Sequence, residues 1–271
     1  ALLAKSAEKH QTLKAQSFTM QRFPRLRNAY REHPVFMSAT FLFICWVPYM
    51  VAFYPGTVIY DMCVIVRQFF GLEQLTTWHC PFTTLFFGSC IGLGRLLGSD
   101  NYGTLIYMIL QSLLMAYALG ACVGYLRRLG ANRGWQLAAL AFYGITPIWG
   151  CYAMMIGKDT FYTATLMLFM LQTLTLAREG AQARLRIRDL VGYGTTAMLT
   201  CLWRNNGLYV VLPSILCIAA FLALGKNRWK VAASLGAGLA AAVIFLQVIT
   251  PALGFVDNTG SAIYSICFQQ T

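Results

Sequence analysis

Between Tyr102 and Leu126 the chain carries no charged residue, and Arg127 and Arg128 then close the run abruptly. At about 1.5 Å per helical residue, such a run crosses the ~30 Å hydrocarbon core of a bilayer with length to spare. One run of this kind would fit a buried core helix, but this chain has several, separated by short polar breaks. Of 271 residues, 58% are hydrophobic and 11% charged, and the mean hydropathy is +0.58. No soluble domain of this size hides that much apolar surface. The expected fold class is all-α, a polytopic transmembrane helix bundle of about seven spans.

The spans fall at about Val35–Tyr54, Tyr102–Leu126, Trp135–Gly150, Thr160–Ala177, Leu190–Trp203, Leu208–Leu224 and Val231–Thr250. Pro48 is a tolerated kink in the first, and the third leads into a loop around Pro147. Residues 1–34 are basic, with Lys5, Lys9, Lys14, Arg22, Arg25, Arg27 and Arg31, and hold no apolar core of a signal peptide. They are expected to stay in the cytoplasm against anionic lipid. Residues 35–250 form the membrane domain. Residues 251–271 begin an external segment. Because the chain starts at Ala1 and stops inside that segment, it is expected to be part of a longer protein.

The formal net charge of +12 looks at first like a nucleic-acid footprint. Its distribution points to membrane orientation instead, and no nucleic-acid partner is expected: most Lys and Arg sit in short segments between spans. Residues 55–101 decide the topology. Phe82–Leu97 is apolar but short and glycine-rich, and it carries Arg95. If it crossed the membrane, every later basic cluster would change sides. If it stays outside, only Arg67, Arg95, Lys158 and Arg204 of the 21 Lys and Arg lie outside. The positive-inside rule therefore makes 55–101 a long external loop with two interfacial helices.

With that topology the polar breaks gather on the external face. Asp61 follows the first span, His79-Cys80-Pro81 opens the second loop helix, Lys158-Asp159 heads the fourth span, and Trp203-Arg204-Asn205-Asn206-Gly207 separates the fifth from the sixth. Charges at membrane depth are costly and are usually kept for function. A carboxylate can deprotonate a nucleophile, and a guanidinium binds phosphate bidentately. Two carboxylates and an arginine at one depth thus suit a substrate bearing a phosphate and a hydroxyl. Each residue also has a plainer reading. Asp61 could cap a surface helix or pair with Arg67, Asp159 could favour the dipole of the fourth helix, and Arg204 could snorkel to head groups. His79 reads as a polar contact rather than a metal ligand, and no His/Cys set has structural zinc spacing. Trp46, Tyr54, Trp149 and Trp229 fit interfacial belts. Cys45, Cys90, Cys122, Cys201 and Cys217 fall in apolar runs. Cys63, Cys80 and Cys151 fall outside, where a bridge could form.

The order of these motifs over about residues 35–250 resembles the GT-C glycosyltransferases, multispan enzymes that take sugars from polyprenyl-phosphate donors. Lipid A aminoarabinose transferases and protein O-mannosyltransferases are examples. That family places an Asp, often Asp-Glu, soon after the first span, opens the second surface helix with His-Pro-Pro, runs Ser-Pro…Asp between the third and fourth spans, and sets a basic residue after the fifth. Here the positions read Asp61-Met62, His79-Cys80-Pro81, Thr146-Pro147…Lys158-Asp159 and Arg204-Asn205-Asn206-Gly207. Met62 and Cys80 depart from the pattern, and the chain is shorter than the family's.

The resemblance implies a multi-pass enzyme of the cell membrane with a cytoplasmic N-terminus and an external active site. Its donor would be a polyprenyl-phosphate sugar with its tail among membrane lipid. Arg204 and Lys158 would hold the phosphate, with His79, Asn205 and Asn206 as further substrate contacts. Asp61 would activate an acceptor hydroxyl. Asp159 would orient the acceptor, position Lys158, or hold a divalent cation with Asp61. No other cofactor is implied. The acceptor, a glycan, lipid or protein, and any complex subunits stay open. A lipid-linked sugar transporter and a noncatalytic subunit of an envelope-polymer complex are the alternatives.

Overall fold

The computed structural model describes residues 24–179, 186–204, 206–222 and 228–257. Within them the protein is an all-α bundle apart from one two-residue strand pair. The elements are α1 (Pro24–Glu32), α2 (Pro34–Ala52), β1 (Thr57–Val58), α3 (Tyr60–Phe69), α4 (Pro81–Leu96), α5 (Asp100–Arg128), α6 (Arg133–Ile145) and α7 (Pro147–Met154). There follow β2 (Met155–Ile156), α8 (Lys158–Glu179), α9 (Ile187–Trp203), α10 (Gly207–Leu222) and α11 (Arg228–Ile244). A π-helical turn at Phe245–Ile249 and the short α12 (Thr250–Ala252) complete the order. Local chemistry sets several starts. Proline occupies the first turn of α2, α4 and α7, where its missing N–H is no loss. Ser99 and Asn132 cap α5 and α6 by accepting from the amides of Asn101 and Trp135.

Among the described residues four helical stretches are long and apolar enough to cross a membrane: Pro34–Ala52, Asp100–Arg128, Lys158–Arg178 and Trp229–Ala252. The chain is thus a membrane protein of multiple helices. A fifth crossing arises if α6 and α7, bent by 52° at Thr146, form one broken span. Pro147 therefore starts a helix rather than lying in a loop: its ring is accommodated at N1, and the bend falls at the residue before it. Among the described residues α9 and α10, with 17 and 16 residues, fall below the length of the other spans, so helix length there gives four or five crossings of the seven expected.

The central element is α5, which packs against α2, α4, α6, α7 and α8. Glycines permit the close approaches. A Cβ on Gly120 would lie 2.8 Å from the Val35 carbonyl oxygen, and one on Gly103 2.5 Å from that of Cys90. Such contacts let packing replace the hydrophobic drive that lipid does not supply. Trp46 is fully buried here and donates its indole N–H to the Tyr143 carbonyl, so it belongs to the core and not to an interfacial belt. Trp229 and Tyr54 are exposed. A second core joins α9 and α11 with Phe169 of α8, and Phe82 packs against both cores.

The two ends of the bundle are distinct. At one, Arg127 donates to the Tyr30 carbonyl, and the Tyr30 hydroxyl to Gln136, which ties α1 to the α5–α6 turn. At the other, the Tyr107 hydroxyl donates to the Gly157 carbonyl. From Tyr107 to Arg127 helix α5 rises about 30 Å, the thickness of a hydrocarbon core.

Candidate functional site

The site forms where three elements end on the Tyr107 side of the bundle. β1 and β2 pair in parallel, Thr57 opposite Met155 and Val58 opposite Ile156. This register sets the first turns of α3 and α8 side by side. Gly56 makes the approach feasible: its φ is 130°, and a Cβ there would lie 2.8 Å from Ile156. The stretch from Ala153, in the last turn of α7, through the non-helical Met155–Gly157 is held by α5. Gln111 donates its amide to the carbonyls of Ala153 and Met155, Ser112 donates to Ala153, and Tyr107 reaches Gly157. Broken backbone at membrane depth persists only where protein groups satisfy it. Sequence reading missed Tyr107, Gln111 and Ser112, although they form a polar face at i, i+4 and i+5 in an otherwise apolar run.

Two ion pairs lie on consecutive residues at the head of α8. Lys158 Nζ donates to Asp61 Oδ2 at 3.3 Å, and Arg204 Nη1 donates to Asp159 Oδ1 at 2.8 Å. Lys158 is mostly buried, with its side chain 17% exposed, while Asp61 is 45% exposed. Arg204 and Asp159 are 44% and 32% exposed. Arg204 ends α9 in an extended conformation, and its guanidinium lies 5.8 Å from the Tyr162 ring centre. The turn beyond it closes with a Gly207 N–H to the Arg204 carbonyl. Gly207 is required there, since any Cβ would collide with the Thr200 carbonyl.

His79 is buried just before α4, and its Nδ1 sits 4.0 Å from Asp61 Oδ2 with no hydrogen-bond partner. Burial and the nearby Lys158 ammonium push its pKa below the ordinary histidine value, against the opposing pull of Asp61 and Glu73. The loop that carries it is braced by the chain after α12. The Thr77 amide donates to the Val256 carbonyl, the Val256 amide to the Leu75 carbonyl, and the Thr77 hydroxyl to Asp257.

Asp61, Lys158, Asp159, Arg204 and His79 thus meet at one end of the bundle. Asn206 is exposed in the turn after Arg204, and Asn205 lies outside the described residues. Lys158, expected to hold phosphate with Arg204, is bonded to Asp61 in this structure. One expectation is corrected. Asp61 does not pair with Arg67, which bonds Glu73 at 3.0 Å. Arg95, another cation of the 55–101 loop, bonds Asp100 at 2.7 Å and lies over the Phe70 ring. Cys63 and Cys151 are exposed free thiols. Among the described residues no three His, Cys, Asp or Glu gather as a metal-binding group. A divalent cation between Asp61 and Asp159 would compete with Lys158 and Arg204 for their carboxylates.

Chemically, the arrangement holds two carboxylates and two cations in mutual neutrality, with Asp61, Asp159 and Arg204 all partly open to solvent. An incoming anion can compete for the cations and leave the carboxylates free to accept protons.

Comparison with known proteins matches residues 71–265 to DUF6020, a family of unknown function. The matched stretch contains His79, Lys158, Asp159 and Arg204 and begins after Asp61. No curated protein and no solved structure matches the chain.

Proposed function

This chain belongs to the DUF6020 family, and we propose that it is an integral-membrane glycosyltransferase of the GT-C type. On this reading it moves a sugar from a polyprenyl-phosphate donor to an acceptor hydroxyl on the outer side of the cell membrane. The observation that carries this is the pairing of Lys158 with Asp61 and of Arg204 with Asp159. It brings a candidate base and two phosphate-binding cations from three separate elements to one end of the bundle.

In the resting state the four charges cancel. A donor phosphate draws Arg204 from Asp159 and Lys158 from Asp61, and the guanidinium can grip two phosphate oxygens at once. Asp61, relieved of its partner, takes the proton of the acceptor hydroxyl as that oxygen bonds to the anomeric carbon. The bond from the anomeric carbon to the phosphate oxygen breaks with inversion, and its electron pair leaves on polyprenyl phosphate. Arg204 stabilises the charge that builds there. Asp159 orients the acceptor.

In the membrane, α2, α5, the bent α6–α7 pair, α8, α9, α10 and α11 make seven crossings, with α9 and α10 as short spans. The ion-pair end is external, α1 is cytoplasmic, and α4 lies along the outer surface. The positive-inside balance and the ~30 Å between Tyr107 and Arg127 support this placement.

The test is to incubate the purified chain in liposomes with a panel of polyprenyl-phosphate sugars and candidate acceptors. Consumption of a donor with release of polyprenyl phosphate is the expected result. A donor that crosses the bilayer intact and unconsumed would favour a lipid-linked sugar transporter. A donor neither consumed nor moved would favour a noncatalytic subunit.

A further inference from the structure

At the opposite end of α9 from Arg204, helices α9 and α11 run parallel and enclose an open groove of about 500 Å³. The hydroxyl of Ser234 reaches the Leu190 carbonyl, and a Cβ on Gly238 would collide with the Gly194 carbonyl, so the two backbones nearly touch along the groove floor. Its walls are apolar or small, among them Ile187, Val191, Met198, Ala237 and Ala241, and it ends at Lys230. Ile187, Val191 and Lys230 are exposed.

We propose that this groove seats one acyl chain of an anionic glycerophospholipid, with its phosphate at Lys230 and the adjoining starts of α9 and α11. Three observations fit that occupant. The lining runs from Ile187 to Met198 on one helix and from Lys230 to Ala241 on the other. That is about 16 Å of rise, half of a ~30 Å hydrocarbon core and so one leaflet deep. The mouth is basic: Arg186, Arg188 and Lys230 lie at the two helix starts, and among the described side chains there Asp189 is the carboxylate that opposes them. That carboxylate is already engaged, accepting from the Arg186 amide and lying 4.0 Å from Arg188. Finally, both helices present their N-termini at the mouth, which favours an anion there. A second copy related by a two-fold axis along the membrane normal would bring Lys230 against Lys230 and repel. The inference uses the membrane placement proposed above but not its chemistry.

The experiment is native mass spectrometry of the full chain in detergent, titrated with dioleoylphosphatidylglycerol or dioleoylphosphatidylcholine. The phosphatidylglycerol should be retained more strongly. Lys230→Gln should weaken it about five-fold, the effect of one surface cation on an anionic lipid, with Lys230→Arg close to wild type. Ala237→Phe should fill the groove and weaken both lipids. Since Lys230 is exposed, an unchanged melting temperature in Lys230→Gln separates lost lipid from lost fold. Unchanged phosphatidylglycerol binding in Lys230→Gln or Ala237→Phe, or a disulfide-linked dimer from Ala237→Cys, would overturn the proposal. Binding is read without turnover. A chain that holds lipid in this way yet transfers no sugar would count against the transferase reading alone.

Discussion

Arg204 donates to Asp159 at 2.8 Å across 45 positions of sequence, tying the end of α9 to the start of α8. Side chains this exposed hold little stability in such a pair, typically about 0.2–1 kcal/mol. A double-mutant cycle with Arg204→Ala and Asp159→Asn should therefore give a coupling below about 1 kcal/mol in thermal unfolding. The same Arg204→Ala change should cost about 100-fold in transfer, with both donor binding and rate affected, because the phosphate is held in the ground state and gains charge as the bond breaks. Arg204→Lys should recover only part, since lysine lacks the bidentate fork. A coupling of several kcal/mol with transfer intact would make the pair structural.

Gln111 tells the opposite story. It is fully buried, and its single amide group serves two carbonyls in the break before α8. Gln111→Leu keeps the size but orphans the Met155 carbonyl and leaves that of Ala153 to Ser112 alone, a loss of about 1–3 kcal/mol for a buried unsatisfied group. The melting temperature in detergent should fall by several degrees, and transfer should fall with it because Lys158 and Asp159 follow that break. A variant that melts like wild type would show that the Met155 carbonyl does not depend on Gln111.

His79 makes stability depend on pH. Its folded pKa lies below the unfolded value, mainly because it is buried. The unfolded chain therefore binds more protons, and stability rises with pH through that interval. Between about pH 7 and pH 5 the wild-type melting temperature should drop by more than that of His79→Gln, which lacks the titrating ring. Parallel curves for the two proteins would remove His79 as the cause.

Much of this end of the molecule is legible in the sequence, and the reasons are physical. Asp61, Lys158-Asp159 and Arg204 stand out because charge is rare in so apolar a chain, and their spacing relative to the spans puts them at one depth. What the residues do to each other is not legible. The register of Val58 with Ile156 decides that Asp61 meets Lys158, and such a two-residue pairing has no sequence signature. Trp46 looks like a belt residue from its place near a span end. Only the approach of α6 supplies the Tyr143 carbonyl that lets it be buried. The bend before Pro147 is similar: proline marks a break, but either a loop or a helix restart fits the letters.

Topology can be checked in intact cells. In a background without reactive cysteines, Ser99→Cys should label with an impermeant maleimide and Arg133→Cys should not, because α5 separates the two. The reverse pattern would put the Asp61 and Arg204 end in the cytoplasm and remove the proposed donor geometry.

The chemical proposal stands on Asp61, so the decisive measurement is transfer by Asp61→Asn. Asparagine keeps the size and can still hydrogen-bond, but it cannot take a proton at working pH. Transfer from the polyprenyl-phosphate sugar in liposomes should fall by about 10²- to 10⁴-fold, the range for a lost general base. Donor binding, measured separately, should stay close to wild type. Full transfer by Asp61→Asn would contradict the role of Asp61 as base and leave its bond to Lys158 a structural one.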